Sequence, residues 1–193
     1  MSLVYHQIEP DNWLKQGVTQ KPQLPPDVSF IKGSHIGEAL PAPMVFEVDF
    51  PARVDVPHFI GDTIPVFSDF LVKTLIAAGV SNFQTFSAVL RSTVSGQEWE
   101  GFWAVNVVGL VRAAHLQKSD YDTLMEADPD GIDVPLLAFN ELVLDRRKVD
   151  NLPMFRLAES PAVLLIHDRI NTWIDDHPPD DGWGFDATVI QVA

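Results

Sequence analysis

The residues able to carry chemistry are six histidines (His6, His35, His58, His115, His167 and His177) and 27 carboxylates; the chain has no cysteine. Thiol chemistry, disulfides and cysteine metal clusters are therefore excluded. The histidines stand at no ligand spacing such as His-Glu-x-x-His, and neither a glycine-rich phosphate loop nor a Gly-x-Ser-x-Gly elbow occurs. His167-Asp168 has the residue types of half a serine-hydrolase relay. It falls at the head of a helix-spaced run, however, where a capping role is the stronger reading. Glu98 and Glu100 flank Trp99 and would share one face of a strand, as an acid–base pair must; a solvated sheet edge is expected instead. Asp128-Pro129-Asp130-Gly131-Ile132-Asp133 has the outline of a calcium loop but lacks the third early oxygen ligand and the terminal glutamate, so it reads as an acidic turn. Asp145-Arg146-Arg147-Lys148 reads as a solvated basic turn. No metal and no cofactor is expected.

Charge narrows the partners. Thirteen Lys and Arg against 27 Asp and Glu give the 193-residue chain a net charge of −14. Phosphate would repel such a surface, so no nucleic-acid partner is expected. Two zones concentrate the acidity. Residues 120–133 hold Asp120, Asp122, Glu126, Asp128, Asp130 and Asp133 with no cation, and residues 168–186 hold Asp168, Asp175, Asp176, Asp180, Asp181 and Asp186 against Arg169 alone. An exposed field of this sign steers a basic protein toward it and raises the association rate at low salt. Asp120, Asp122, Glu126, Asp128, Asp130, Asp175, Asp176, Asp180 and Asp181 are the candidate partner-binding residues. The start of the chain has neither the basic region nor the apolar core of a secretory signal. No apolar run reaches the ~18 residues that span a bilayer. A cytoplasmic protein with no membrane partner is expected.

The elements that position these groups are organised around Gly101-Phe102-Trp103-Ala104-Val105-Asn106-Val107-Val108-Gly109. β-Branched and aromatic residues on both faces of an alternating chain predict a central strand near 102–108, covered on both sides. Its single polar side chain, Asn106, should be a hydrogen-bonded structural residue. Met44 to Phe50 alternates apolar with acidic residues and predicts a half-buried strand. Leu71, Val72, Leu75 and Ile76 form a helical stripe behind Ser68 as N-cap and ahead of Gly79, so a helix is predicted near 68–78. A strand at 83–90 should pair antiparallel with the central one through a turn at Gly96. Further strands are predicted at 136–144, with Leu142 and Leu144 inward, from Phe155, at 162–166 after a break at Ser160-Pro161, and at 187–192. A second helix is predicted near 168–177. Superposing Asp69 on Asp168 matches Leu71 with Ile170 and Leu75 with Ile174, and Trp183 or Phe185 would echo Phe83. This is a faint internal repeat of strand, cap, helix, loop and strand. Residues 1–43 are punctuated by proline and read as an extended arm packed on the body, with a short helix near 11–16; residues 44–193 read as one domain. The whole is α+β, with a mixed, mostly antiparallel sheet.

The order of Ile64-Pro65-Val66-Phe67-Ser68-Asp69, Phe102-Trp103-Ala104-Val105-Asn106-Val107, Lys118-Ser119, Met154-Phe155-Arg156-Leu157 and the run Ala162 to Asp168 resembles the immunity protein family numbered eleven, long treated as a domain of unknown function in bacteria. The similarity covers about residues 44–192, and the proline-rich start departs from it. The resemblance implies an antitoxin that binds a cognate polymorphic toxin and catalyses nothing; it carries over no catalytic residue. Alternatives are an adaptor or regulatory protein of a secretion system, or a hydrolase with a pocket near Trp99 and Trp103.

Overall fold

The computed structural model describes residues 3–11, 17–61, 63–127, 134–149 and 152–193. In chain order its elements are β1 (Tyr5–Pro10), β2 (Val18–Gln20), β3 (Met44–Val48), β4 (Phe59–Ile60), β5 (Val66–Ser68), α1 (Asp69–Ala77), β6 (Phe83–Ser92), β7 (Glu98–Val107), β8 (Leu110–Val111), β9 (Asp120–Met125), β10 (Leu136–Glu141), β11 (Val143–Leu144), β12 (Met154–Leu157), β13 (Ser160–His167), α2 (Asp168–Asp175) and β14 (Phe185–Val192). The class is α+β: two mixed, mostly antiparallel six-stranded sheets and two short helices.

The apolar ribbon is β7, interior in the sheet ordered β2-β3-β6-β7-β5-β4. Its faces feed different cores. Trp103, Val105 and Val107 pack with Phe67, Leu71 and Leu75, whereas Phe102 and Ala104 pack with Phe46, Phe50 and Leu90. A strand with two covered faces needs apolar side chains on both, which is why this one lacks alternation. Asn106 is fully buried, and its Nδ2 donates to Ser34 O at 2.9 Å and Gln84 Oε1 at 2.8 Å. Gln84 in turn grips the main chain of Ile36 through both its amide atoms. Asn106 thus holds the segment before β3 against β6 and β7. The predicted half-buried strand is β3, with Met44, Phe46 and Val48 inward, and β6 pairs antiparallel with β7 as expected.

The helix ends follow from the sequence. Ser68 caps α1 by accepting Leu71 N–H at 3.1 Å. At the other end Ala78 is the C-cap, and Gly79 follows it with φ +89°, a conformation that favours glycine. Gly79 N–H bonds Ile76 O and Val80 N–H bonds Leu75 O, which satisfies two of the last free carbonyls. Buried Val80 then packs in the same core as Leu75.

The second sheet, β11-β14-β1-β13-β12-β8, repeats the pairing of five strands of the first. In each, the strand before a helix and the strand after it flank one strand antiparallel to both: β5-β7-β6 in the first sheet and β13-β1-β14 in the second. A further strand lies parallel outside the later one (β3 beside β6, β11 beside β14), and another lies antiparallel outside the earlier one (β4 beside β5, β12 beside β13). The registers match residue by residue. Ala88 faces Phe102, and Ile190 faces Tyr5; Phe67 faces Trp103, and Ile166 faces His6; Phe83 faces Val107, and Phe185 faces Pro10. The echo in the sequence is therefore a repeat of the whole frame. In the second copy the strand corresponding to β7 comes from the opposite end of the chain, as β1. Val105 and Ile8, Leu71 and Ile170, and Leu75 and Ile174 all meet in one shared core, while each half keeps an outer core of its own.

Several expectations need correcting. Among the described residues the strands form two six-stranded sheets and a two-stranded one in place of a single sheet, and β7 is interior in one of them. Residues 5–10, expected within a peripheral arm, form an interior strand. The predicted strand 136–144 breaks at Leu142 into β10 and β11, which belong to different sheets. Ser160 opens β13 instead of breaking it, because the pairing with β12 shifts register there and Pro161, without an amide donor, is tolerated at such an irregularity. Residues 12–16, which include most of the expected short helix, and Asp128 to Asp133 lie outside the described residues.

Candidate functional site

The candidate binding residues fall in two places. Asp120 and Asp122 lie on β9 and Glu126 just beyond it, all exposed; Asp128 and Asp130 lie outside the described residues. Among the described residues β9 pairs only with β10, forming a two-stranded ribbon apart from both six-stranded sheets. The ribbon is anchored through β10, where Leu137 is buried and its N–H bonds Glu159 O at 2.7 Å.

Asp175, Asp176, Asp180 and Asp181 cluster at the end of α2 and in the turn after it, every one exposed. Asp175 is the last residue of α2 and Asp176 its C-cap, and the last turn holds no basic residue. The carbonyl end of a helix carries partial negative charge, so carboxylates there cost about 0.3–1 kcal/mol each, whereas cations would stabilise it. Asn171 Nδ2 donates to Asp175 at 2.9 Å, a neutral partner that leaves the charge in place. Among the described residues no hydrogen bond or ion pair joins this group to the β9 acids.

Asp181 also belongs to a contact that the spacing in the sequence did not reveal. His58 lies 2.6 Å from Ser68 Oγ through Nδ1 and 3.3 Å from Asp181 Oδ1 through Nε2. The order Ser–His–Asp is that of a proton relay. Ser68 Oγ, however, already receives Leu71 N–H as the cap of α1, and the ring of His58 lies against Trp183 and Phe70. Gly184, with φ +64°, lets the chain pass so close to Pro57 that a Cβ there would lie 2.7 Å from Pro57 Cβ. His58 N–H bonds Trp183 O at 3.0 Å and Ser68 N–H bonds His58 O at 2.9 Å. The trio works as a strut that holds the acidic turn against the start of α1.

The corresponding junction in the second half carries His167 in place of Ser68. Its Nδ1 accepts Arg169 N–H at 3.1 Å, so it caps α2 as expected, and Asp168 receives His6 Nε2 at 2.9 Å. Trp103 Nε1 donates to Asp69 at 3.3 Å at the matching place in the first half. Burial, reinforced by the charge of Arg169 and slightly by His6, holds the His167 pKa below its ordinary value of 6.5 against the opposing pull of Asp168.

Glu98 forms an ion pair with Arg91 at 2.7 Å, and Glu100 is exposed. The recess beside Trp103, about 280 Å³, is lined by Asp69, Glu100 and neighbouring residues of β6 and β7, with no histidine among its lining residues. Trp99 packs edge-on against Phe50 at 6.3 Å. A larger cleft of about 460 Å³ is bounded by Arg112, His115, Asp145, Lys148 and Glu159. Glu159 is buried there with Oε2 unpartnered, and desolvation pushes its pKa up against the opposing main-chain N–H groups of Glu159, Ala113 and Ala114 and the charge of Lys148. Asp145 at the rim is held down to about 2 by its hydrogen bonds with Arg147.

Among the described residues no three His, Asp or Glu side chains converge as a metal-binding group, and no helix is long and apolar enough to cross a membrane. No protein-family model matches the chain, and no curated protein matches it.

Proposed function

We propose that this chain is a non-catalytic binding protein that neutralises a basic protein toxin in the cytoplasm, as the resemblance to the immunity family implies. The observation that supports this reading best is the uncompensated acidity at the end of α2. Asp175 and Asp176 sit where the helix itself disfavours negative charge, with no cation in the last turn and Asp180 and Asp181 beside them. Residues that weaken the free protein and strengthen its outward field suit attraction of a positively charged partner. The test is association with the protein encoded beside this gene. Replacing Asp175, Asp176, Asp180 and Asp181 by Asn should slow association by about tenfold at low salt and flatten its dependence on ionic strength. Since Asp181 also braces His58, the triple variant retaining Asp181 serves as the control for local structure. The same triple variant should unfold at a slightly higher temperature than the parent. An unchanged association rate and salt slope sink the proposal.

A further inference from the structure

We propose that β9 is a docking edge that takes an extended, basic segment of the partner protein as a third strand of the β9–β10 ribbon, an inference that rests on the binding function proposed above. Among the described residues β9 and β10 have no counterpart in the first half of the molecule, so the repeated frame does not require them. Among the described residues β10 is the one neighbour of β9, and the far edge of β9 carries main-chain donors and acceptors with no strand opposite. Proteins guard such edges with lysine, proline, short length or a cover. β9 is six residues, Asp120-Tyr121-Asp122-Thr123-Leu124-Met125, and has neither lysine nor proline.

Its side chains describe the occupant. Alternation places Asp120 and Asp122 on one face, and it ends at Leu124, an extra residue where the β9–β10 register shifts. Leu124 and Met125 are 64% and 56% exposed, among the most exposed large apolar side chains of the molecule. On the other face Tyr121 is half-buried against Phe139, with ring centroids 5.9 Å apart, which stiffens the ribbon from behind. An added strand with lysine or arginine opposite Asp120 and Asp122 and aliphatic residues near the exposed Leu124 and Met125 would match both the charge and the apolar end of β9, since cross-strand pairs of opposite charge and of apolar residues stabilise a sheet. A second copy of this chain does not match. Antiparallel pairing centred on Asp122 sets that carboxylate against its own copy, and like charges across a sheet repel, while pairing over the full strand sets Asp120 opposite Met125 and leaves the acids without a cation. The acids thus discourage self-pairing at an edge left open to a cation-bearing strand.

The test uses the intact chain and a fluorescent eight-residue peptide alternating Lys and Val. Anisotropy should show binding that weakens about tenfold in the Asp120→Asn/Asp122→Asn variant and vanishes for an alternating Glu–Val peptide. Amide exchange should slow about tenfold at alternate residues of β9 and nowhere else on the ribbon, because only strand addition gives those amides a new acceptor. Peptide binding without protection of β9 means general charge attraction and overturns the inference. No binding, equal affinity for the acidic peptide, or sedimentation of the free chain as a dimer with β9 protected also overturns it. Association with the neighbouring gene product is measured alongside. If that persists while the peptide fails, strand addition falls and the binding function stands; if the peptide binds as described and the gene product does not, the reverse holds.

Discussion

The N-terminal strand offers the sharpest test of the duplicated frame. β1 lies between β13 and β14, and Ile8 occupies in the second half the place that Val105 occupies in the first. Ile8 is buried among Met154, Leu164, Ile166 and Ile170. Truncating it to alanine removes apolar contact and leaves a cavity, which costs about 2–5 kcal/mol for an isoleucine in a packed core. Tyr5, three residues earlier, is wholly buried; its hydroxyl donates to the carbonyl oxygens of Val149 and Leu152, and its ring lies edge-on to Phe155 at 5.5 Å. Tyr5→Phe keeps the ring and removes the hydroxyl donor to Leu152 O, while Val149 O keeps the Leu152 N–H, a loss of about 1–3 kcal/mol. Val189, opposite His6 on β14, is exposed, and Val189→Ala should change stability by less than about 0.5 kcal/mol. Urea unfolding followed by tryptophan fluorescence reads all three. With a slope near ~2 kcal/mol per molar, Ile8→Ala should lower the midpoint by about 1–2.5 M without changing the slope. If Ile8→Ala moves the midpoint no more than Val189→Ala does, β1 is an arm laid on the surface, and the equivalence of β1 with β7 is wrong.

Two titrations follow from buried groups. Glu159 has its pKa raised in the folded state, mainly by desolvation. The fold favours its neutral form, so this contribution to stability is complete below the unfolded pKa, ordinarily 4.5, and is lost as pH rises through the raised folded value. Glu159→Gln should therefore melt at a higher temperature than the parent at pH 7 and match it near pH 4; equal melting at both pH values refutes the assignment. His167 is the opposite case. Its Nδ1 must stay unprotonated to cap α2, and its folded pKa is lowered by burial and by Arg169. Stability from this cap is present above 6.5 and is lost as pH falls from there through the lowered folded value. Asparagine caps helices without titrating, so His167→Asn should make the acid-side decline in melting temperature shallower, and an unchanged pH profile would remove His167 from it.

What the sequence revealed depended on whether a signal was local. The cap at Ser68, the acid in the first turn of each helix and the alternation of Met44 to Val48 are written in neighbouring residues, and each element stands where it was expected. The repeat was visible only in part, because local alignment pairs Leu71 with Ile170 but cannot see that β1, more than 150 residues before β13, completes the second copy. The proline count of residues 1–43 masked β1, since six residues of ordinary strand composition are diluted among breakers. β9 was missed for a similar reason: three acids in residues 120–126 outweigh its alternation in any reading by propensity, although Leu124 and Met125 were there to be weighed. The His58–Ser68–Asp181 contact joins positions 10 and 123 residues apart, and nothing in their spacing signals it.

The duplication also separates residues the frame requires from residues it does not. Both copies need a strand, a cap, a first-turn acid and two apolar helix positions, and both have them. They differ at the far end of the helix. Neither helix has a basic residue in its last turn, and α1 closes through the uncharged Ala77, Ala78 and Gly79. α2 instead runs through Asp175 and Asp176 into a proline-rich acidic turn. Since the same backbone tolerates a well-closed helix in one copy, the acidic ending of the other is not a demand of the fold. The β9–β10 ribbon is likewise an addition to one copy only. The end of α2 and the β9–β10 ribbon both carry clustered, exposed acids that the frame does not explain, and it is there that a partner would leave its mark on the sequence.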